Sequence, residues 1–150
     1  MSLGPELITI ERVAVLQRVA LLSEVAGHAL VSVARLVEEV RVDAGVTFIT
    51  CGAMEDWLFV VASGRVLAHI DDRPLAEIGT GGVVGELAVL SPAPRAASVT
   101  ALEPTLLLRL RRAPFEELLD DHPEICRAVI GTLARMLQEA AGGGAGGPAS

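Results

Sequence analysis

The residues best suited to chemistry lie in one stretch, residues 85–98, which joins two predicted strands and carries one acid, Glu86, and one base, Arg95. A glycine followed by a short helical turn leaves backbone N–H groups unpaired, and such groups can hold an anion. An arginine farther along can return to the same place and make a bidentate, charge-assisted bond to phosphate. The acid would repel that phosphate unless it accepts hydrogen bonds from neutral hydroxyls, which a ribose supplies. The stretch therefore predicts an anion-binding cradle in which the acid faces a sugar.

The composition excludes several other kinds of protein. The chain has 150 residues, about the length of one domain, and 51% of them are hydrophobic, which is too many for a disordered chain. A net charge of −7 argues against coating nucleic acid, because phosphate neutralisation needs clustered positive charge. All twelve bases are arginine, so neither a Schiff-base lysine nor a P-loop lysine is present. With three Phe, one Trp and no Tyr, a base-stacking platform for single strands is disfavoured.

Metal, membrane and hydrolase functions find no support in the sequence either. Two cysteines and three widely separated histidines provide no ligand spacing for a metal. No Ser, His and acid arrangement indicates a hydrolase. No uncharged stretch is long enough to span a bilayer, and Glu6, Glu11 and Arg12 interrupt any leader-like apolar run. We therefore expect a cytoplasmic protein without membrane insertion. The first three residues resemble a cloning remnant, which would make the chain a piece of a longer protein.

The sequence pattern predicts helices at both ends of the chain and β-strands between them. Apolar residues at 30, 33, 34 and 37 follow helical spacing, with Arg35, Glu38 and Glu39 on the other face. After residue 40, short β-branched runs separated by glycines predict about eight strands. The sequence thus predicts an α+β fold, an antiparallel jelly-roll-like β-barrel flanked by N-terminal helices and two C-terminal helices. The expected segments are an N-terminal helical segment (1–39), a β-barrel (40–113), two closing helices (114–141) and a flexible Gly-rich tail (142–150). The second closing helix is expected to begin at Pro123 and to stop at Gly142.

The stretch 85–98 resembles the phosphate-binding cassette of cyclic-nucleotide-binding domains, the family that includes the catabolite activator protein and protein kinase A regulatory subunits. The resemblance rests on Gly-Glu-Leu-Ala, five intervening residues, and then Pro-Arg-Ala-Ala-Ser. It extends to the strand pair and Ser-Gly-Arg-Val turn around residues 52–66, to residues 16–22, and to the closing helices from Phe115 through His122-Pro123. About residues 15–140 are covered. We refer to residues 85–98 as the cassette.

The resemblance implies a set of ligand contacts. Arg95 would bind the cyclic phosphate, and Glu86 would accept a hydrogen bond from the ribose 2′-hydroxyl. Gly85 would permit the close approach of the phosphate to the backbone. In this family a hydroxyl residue after the arginine favours cGMP, so Ala96 implies cAMP, with cGMP the weaker ligand. The phosphate cradle would be completed by the backbone amides of Leu87 and Ala88, and of Ala96 or Ala97.

The function implied is that of a regulatory domain which senses cAMP and relays a conformational change to an effector domain or partner protein. No catalysis, metal or nucleic-acid contact by this chain is expected, and a homodimer is possible. Three alternatives stay open. The domain has lost nucleotide binding and serves as a scaffold; or it is the sensor half of a transcription factor without the DNA-binding part; or the cassette is an ordinary glycine-rich loop with a Glu86–Arg95 surface salt bridge.

Three departures from the family pattern are visible, one of them Val84, which replaces the frequent aromatic residue before Gly85. Ala53 and Glu55 replace the Asp and Gly that are common after Gly52, and we expect this change to alter the loop without touching the pocket. No aromatic residue follows Phe115, so no ring from the closing helices can cap the base. The residues expected nearest the base are Leu133, Arg135 and Met136.

Overall fold

The computed structural model describes residues 7–145, which form four α-helices, two 3₁₀ turns and ten β-strands. The helices are α1 (Thr9–Leu16), α2 (Gly27–Ala34), α3 (Arg112–Asp121) and α4 (Pro123–Ala145), and the 3₁₀ turns are Ala20–Leu22 and Glu86–Val89. The strands are β1 (Glu38–Val42), β2 (Thr47–Ile49), β3 (Met54–Glu55), β4 (Trp57–Ser63), β5 (Val66–Ile70), β6 (Arg73–Ile78), β7 (Val83–Val84), β8 (Ala93–Pro94), β9 (Ser98–Ala101) and β10 (Thr105–Arg111). The start of the predicted N-terminal segment and the end of the predicted tail lie outside the described residues.

The strands pair antiparallel throughout. Sheet I has the order β1-β10-β4-β7, sheet II has the order β2-β9-β5-β6, and β3 pairs with β8 in a two-stranded ribbon. Helices before and after these antiparallel sheets give the α+β arrangement that the sequence predicts. Closure of the sheets into one continuous barrel stays a prediction.

Sheet I is buried on both faces, which explains why β4 reads as a continuous apolar run instead of an alternating one. Phe59 and Val61 point towards sheet II and pack with its Ile49 and Val99. The intervening Leu58 and Val60 belong to a second core cluster, built with the helices. Because side chains alternate along a strand, β4 separates an inter-sheet core from a helical core.

The helical core joins all four helices to the outer face of sheet I. Leu16, Leu30, Phe115 and Ile125 supply fully buried side chains from α1, α2, α3 and α4 in turn. Val89, in the 3₁₀ turn of the cassette, is buried in the same cluster at 0% exposure. The cassette is therefore anchored to the helices by one of its own side chains.

The predicted end of the N-terminal helical segment is wrong. The helix stops at Ala34, and the chain enters β1 at Glu38, so Glu38 and Glu39 lie on a strand and not on a polar helix face. Glu39 is 3% exposed and pairs with Arg12 of α1, Nη2 to Oε2, at 2.9 Å. A carboxylate is tolerated at this depth because the guanidinium neutralises it.

The last helix is longer than the sequence predicts. Pro123 occupies its first turn, where the missing N–H costs no helical hydrogen bond. The helix continues past Gly142 to Ala145. Over residues 7–145, no helix combines the length and the apolar character needed to cross a bilayer.

Candidate functional site

The cassette begins with a backbone conformation that favours glycine. Gly85 has φ +73°, in the left-handed region, and the 3₁₀ turn Glu86–Val89 follows directly. The N–H of Ala88 donates to the Gly85 carbonyl at 3.0 Å and closes this turn. The turn places Leu87, 57% exposed, outward and Val89 inward.

The far end of the cassette is held against the loop before β4 by backbone hydrogen bonds. Strand β8 pairs with β3, which sets Ala93 opposite Glu55. Beyond that pair, Arg95 N–H donates to the Ala53 carbonyl, and Gly52 N–H donates to the Arg95 carbonyl, both at 2.8 Å. These bonds fix the Cα of Arg95 independently of its side chain.

The Arg95 side chain is buried, with the residue 7% exposed. Its Nε donates to Glu55 Oε1 and its Nη2 to the carbonyl of Trp57, each at 2.6 Å. Its Nη1 has no hydrogen-bond partner within residues 7–145. That nitrogen lies over Gly85, where an added Cβ would come within 1.8 Å of it. Gly85 therefore leaves room for the guanidinium in this position and also adopts the left-handed backbone turn.

The expectation that the substituted loop leaves the pocket untouched is wrong. Glu55 binds Arg95 directly, and the two side chains are 16% and 6% exposed. The alternative of a surface salt bridge between Glu86 and Arg95 is also wrong. Arg95 is buried, and its ion pair is with Glu55. Sequence reasoning noticed the unusual acid at residue 55, but the pairing of β3 with β8 was needed to bring it to Arg95.

A cavity of about 290 Å³ lies between the cassette and the inner face of sheet II. Arg95 is its one charged lining residue among those described, and every other lining residue is glycine, proline or an aliphatic. The amides of Leu87, Ala96 and Ala97 donate to no backbone carbonyl within residues 7–145. Of the seven predicted site residues the cavity brings together six, namely Gly85, Leu87, Ala88, Arg95, Ala96 and Ala97. The wall thus combines unpaired N–H donors with one cation, which suits an anion on an otherwise apolar ligand.

Glu86 is the predicted site residue that does not line the cavity. Its Oε2 accepts a hydrogen bond from the backbone N–H of Leu21, in the N-terminal 3₁₀ turn, at 2.6 Å. Its Oε1 has no hydrogen-bond partner among the described residues. The carboxylate therefore ties the cassette to the N-terminal helical segment and keeps one oxygen for a further donor.

The residues expected nearest the base lie away from the cavity. Leu133 packs on the helical core. Arg135 Nη2 binds Glu24 Oε2 at 2.9 Å, and with Met136 it lines a separate groove beside Ala20. In this structure α4 is attached to the N-terminal segment, and it does not cover the cavity.

Trp57 lies next to three arginines, one through its carbonyl and two through its ring. Its carbonyl accepts from Arg95, while its ring lies near two guanidinium groups, those of Arg109 at 5.6 Å and Arg111 at 5.2 Å from the ring centroid. Both arginines also bind Glu38, each at 3.2 Å. The ring is thus set in a charged surface network.

No three metal-ligating side chains cluster anywhere in residues 7–145.

Comparison with known proteins agrees with this geometry. The family model described as the cyclic nucleotide-binding domain matches residues 39–122, which contain the whole cassette and the loop that holds Arg95. The chain belongs to the cyclic nucleotide-binding domain family. The resemblance that the cassette suggests is therefore confirmed at the level of the family.

Individual relatives differ widely in kind. The chain is 36% identical over 111 residues to the Pycsar effector protein XpPycTIR of Xanthomonas perforans, covering 73% of this chain and 36% of the relative. It is 36% identical over 94 residues to the cyclic AMP receptor protein of Thermus thermophilus, covering 59% of this chain and 44% of the relative. The chain thus spans less than half the length of these curated relatives.

A solved structure reproduces most of the cyclic nucleotide-binding domain described here. The N-terminal domain of a transcriptional regulator from Streptomyces coelicolor A3(2) superimposes with a TM-score of 0.81 at 30% sequence identity. The match covers 86% of this chain and 94% of the other. The sheets and helices are therefore those of the family.

The site geometry predicts that Gly85→Ala unseats the Arg95 guanidinium. The new Cβ would collide with Nη1, and a left-handed φ strains any residue with a side chain, which together should lower the free energy of unfolding by roughly 1–3 kcal/mol or more. Urea denaturation measures this. Gly79→Ala is the matched control, since its φ is ordinary and nothing lies within 4 Å of its added Cβ. Equal stability of the two variants would contradict the close approach.

Proposed function

We propose that this is a cytoplasmic regulatory domain that binds a cyclic nucleotide, cAMP in preference to cGMP, and relays the binding event to an effector domain or partner. The observation that carries the proposal is Arg95, a single cation in the wall of an apolar cavity with Nη1 held over Gly85. A phosphate there accepts a charge-assisted bond from the guanidinium and further bonds from the amides of Leu87, Ala96 and Ala97.

The same proposal assigns the ribose to Glu86. Its Oε1 accepts from the 2′-hydroxyl while Oε2 keeps its bond to Leu21. One carboxylate would then contact both the ligand and the N-terminal segment. This double contact supports a relay, because ligand binding changes the environment of a group that also holds a helix turn.

Binding without turnover is part of the proposal. Hydrolysis of a phosphodiester needs a general base or a metal-bound water beside the phosphorus. The described cavity lining contains no acid or histidine, and the nearby Glu55 is already bonded to Arg95. An aliphatic cavity wall supports recognition of the ligand and provides no catalytic group.

The choice of base rests on Ala96. It lines the cavity and has no hydroxyl to donate to a guanine. Relatives named for cAMP support the same choice, namely the Thermus receptor above and a cAMP-dependent protein kinase regulatory subunit of Yarrowia lipolytica, 38% identical over 90 residues.

Arg95→Ala tests the binding proposal directly. Truncating a buried charge-assisted contact costs about 2–5 kcal/mol, so cAMP affinity measured by isothermal titration should fall at least tenfold. Arg73→Ala removes the same charge from the exposed tip of the β5–β6 hairpin and should bind like the parent. A parent protein that binds no cyclic nucleotide would favour the scaffold alternative. An Arg95→Ala variant with unchanged affinity would remove Arg95 from the site.

Ala96→Thr tests the preference for adenine. The added hydroxyl offers one hydrogen bond to guanine, worth about 0.5–1.5 kcal/mol, and should raise cGMP affinity while changing cAMP affinity less. Titration of parent and variant with both nucleotides gives the comparison. A parent that already prefers cGMP would refute the assignment.

Hydrogen exchange tests the relay. We expect cAMP to draw α3 and α4 over the cavity, which requires Arg135 to leave Glu24, and exchange should then slow across residues 115–141 as well as 85–98. Glu24→Gln, which weakens the restraining ion pair, should increase protection of α4 at a given cAMP concentration. Protection confined to the cassette would show that α4 is not the moving element.

A further inference from the structure

Arg95 shares its buried position with a carboxylate. Glu55 Oε1 lies 2.6 Å from Arg95 Nε, with the two side chains 16% and 6% exposed. The pairing of β3 with β8 places Glu55 opposite Ala93, and backbone bonds hold Arg95 to Ala53. Because backbone bonds hold both residues of this ion pair, Glu55 stays next to the arginine that lines the cavity, although Glu55 does not line the cavity itself.

The one positive charge at the cavity is partly neutralised before any ligand binds. Arg95 is the one cation in the described lining, and its Nε is already paired with the Glu55 carboxylate. An anion that enters the cavity has its first charge matched by Arg95 Nη1, and any second charge has no further cation among the lining residues.

Phosphate ligands differ in this second charge. A cyclic phosphodiester carries one negative charge, whereas a phosphomonoester near neutral pH carries roughly −1.5 to −2, with a second pKa of about 6. Charge repulsion is stronger in a water-poor protein cavity than in bulk water. The monoester's phosphate would be held at Nη1, and its extra charge would be repelled by the Glu55 carboxylate, which is bound at Nε of the same guanidinium.

We propose that Glu55 is a specificity-determining residue that rejects doubly charged phosphomonoesters such as 5′-AMP and so selects singly charged cyclic phosphodiesters. The proposal rests on the cyclic-nucleotide function proposed above. It assigns a role to the acid at the position where glycine is common in the family. With this selectivity, 5′-AMP, the product of cAMP hydrolysis, does not compete with cAMP for the domain.

Glu55→Gln is the test, because glutamine has the same shape and its amide oxygen still accepts from Arg95 Nε. Three ligands are compared by displacement of a fluorescent cAMP analogue: cAMP, 5′-AMP, and the methyl ester of 5′-AMP, which is open-chain but singly charged. We expect the affinity for 5′-AMP to rise about tenfold in the variant. The two singly charged ligands should gain only about threefold, since the relief of repulsion scales with ligand charge.

Glu77→Gln is the matched control. Glu77 lies on β6, its side chain is 57% exposed, and it forms an ion pair with Arg65. Removing its charge should leave the affinities for all three ligands unchanged. Thermal unfolding checks that each variant folds. The variant Glu55→Ala, which is also neutral, should show the same gain in affinity for 5′-AMP. Equal gains for 5′-AMP and its methyl ester would overturn the proposal, as would a parallel loss for all three ligands. If the unchanged protein bound none of them, the proposed function itself would fail.

Discussion

Removing a guanidinium from water is costly, and this fold does so almost completely at Arg95, which is 7% exposed. The burial is tolerated because Glu55 and the Trp57 carbonyl each lie 2.6 Å from one of its nitrogens. The backbone of residues 52 and 53 pairs with the backbone of Arg95 itself. The cassette and the loop before β4 therefore form one unit, held by backbone bonds and by the buried ion pair together.

The same short turn also communicates with the rest of the molecule. Leu87 and Ala88 line the cavity, Val89 is buried among the helices, and Glu86 holds the amide of Leu21. Four consecutive residues thus contact the cavity wall, the helical core and the N-terminal 3₁₀ turn. Because sheet I is buried on both faces, its strands are poorly placed to move. The proposed relay would therefore run through the cassette and the N-terminal segment instead of through these strands.

The sequence predicts the cassette well because its defining features are local: a glycine at a left-handed turn, an acid, and an arginine within one loop. The N-terminal boundary could not be predicted as well. Val37 continues the helical spacing, but pairing of Glu38 with Arg109 of β10 draws the chain into a strand. Glu55 pairs with Arg95, 40 residues away, and α4 packs on the helical core and pairs with Glu24 through Arg135. These are tertiary contacts that no local pattern encodes.

Trp57 has a practical consequence for anyone handling the protein. It is the one tryptophan of the chain, so the intrinsic indole emission comes from a single, known position. Its peptide carbonyl is held by Arg95, and its ring lies beside the guanidinium groups of Arg109 and Arg111. Indole emission responds to nearby charge, so any displacement of Arg95 that tilts this peptide alters the colour or yield of the light. The fluorescence of Trp57 is therefore an intrinsic probe of the arginine that lines the cavity.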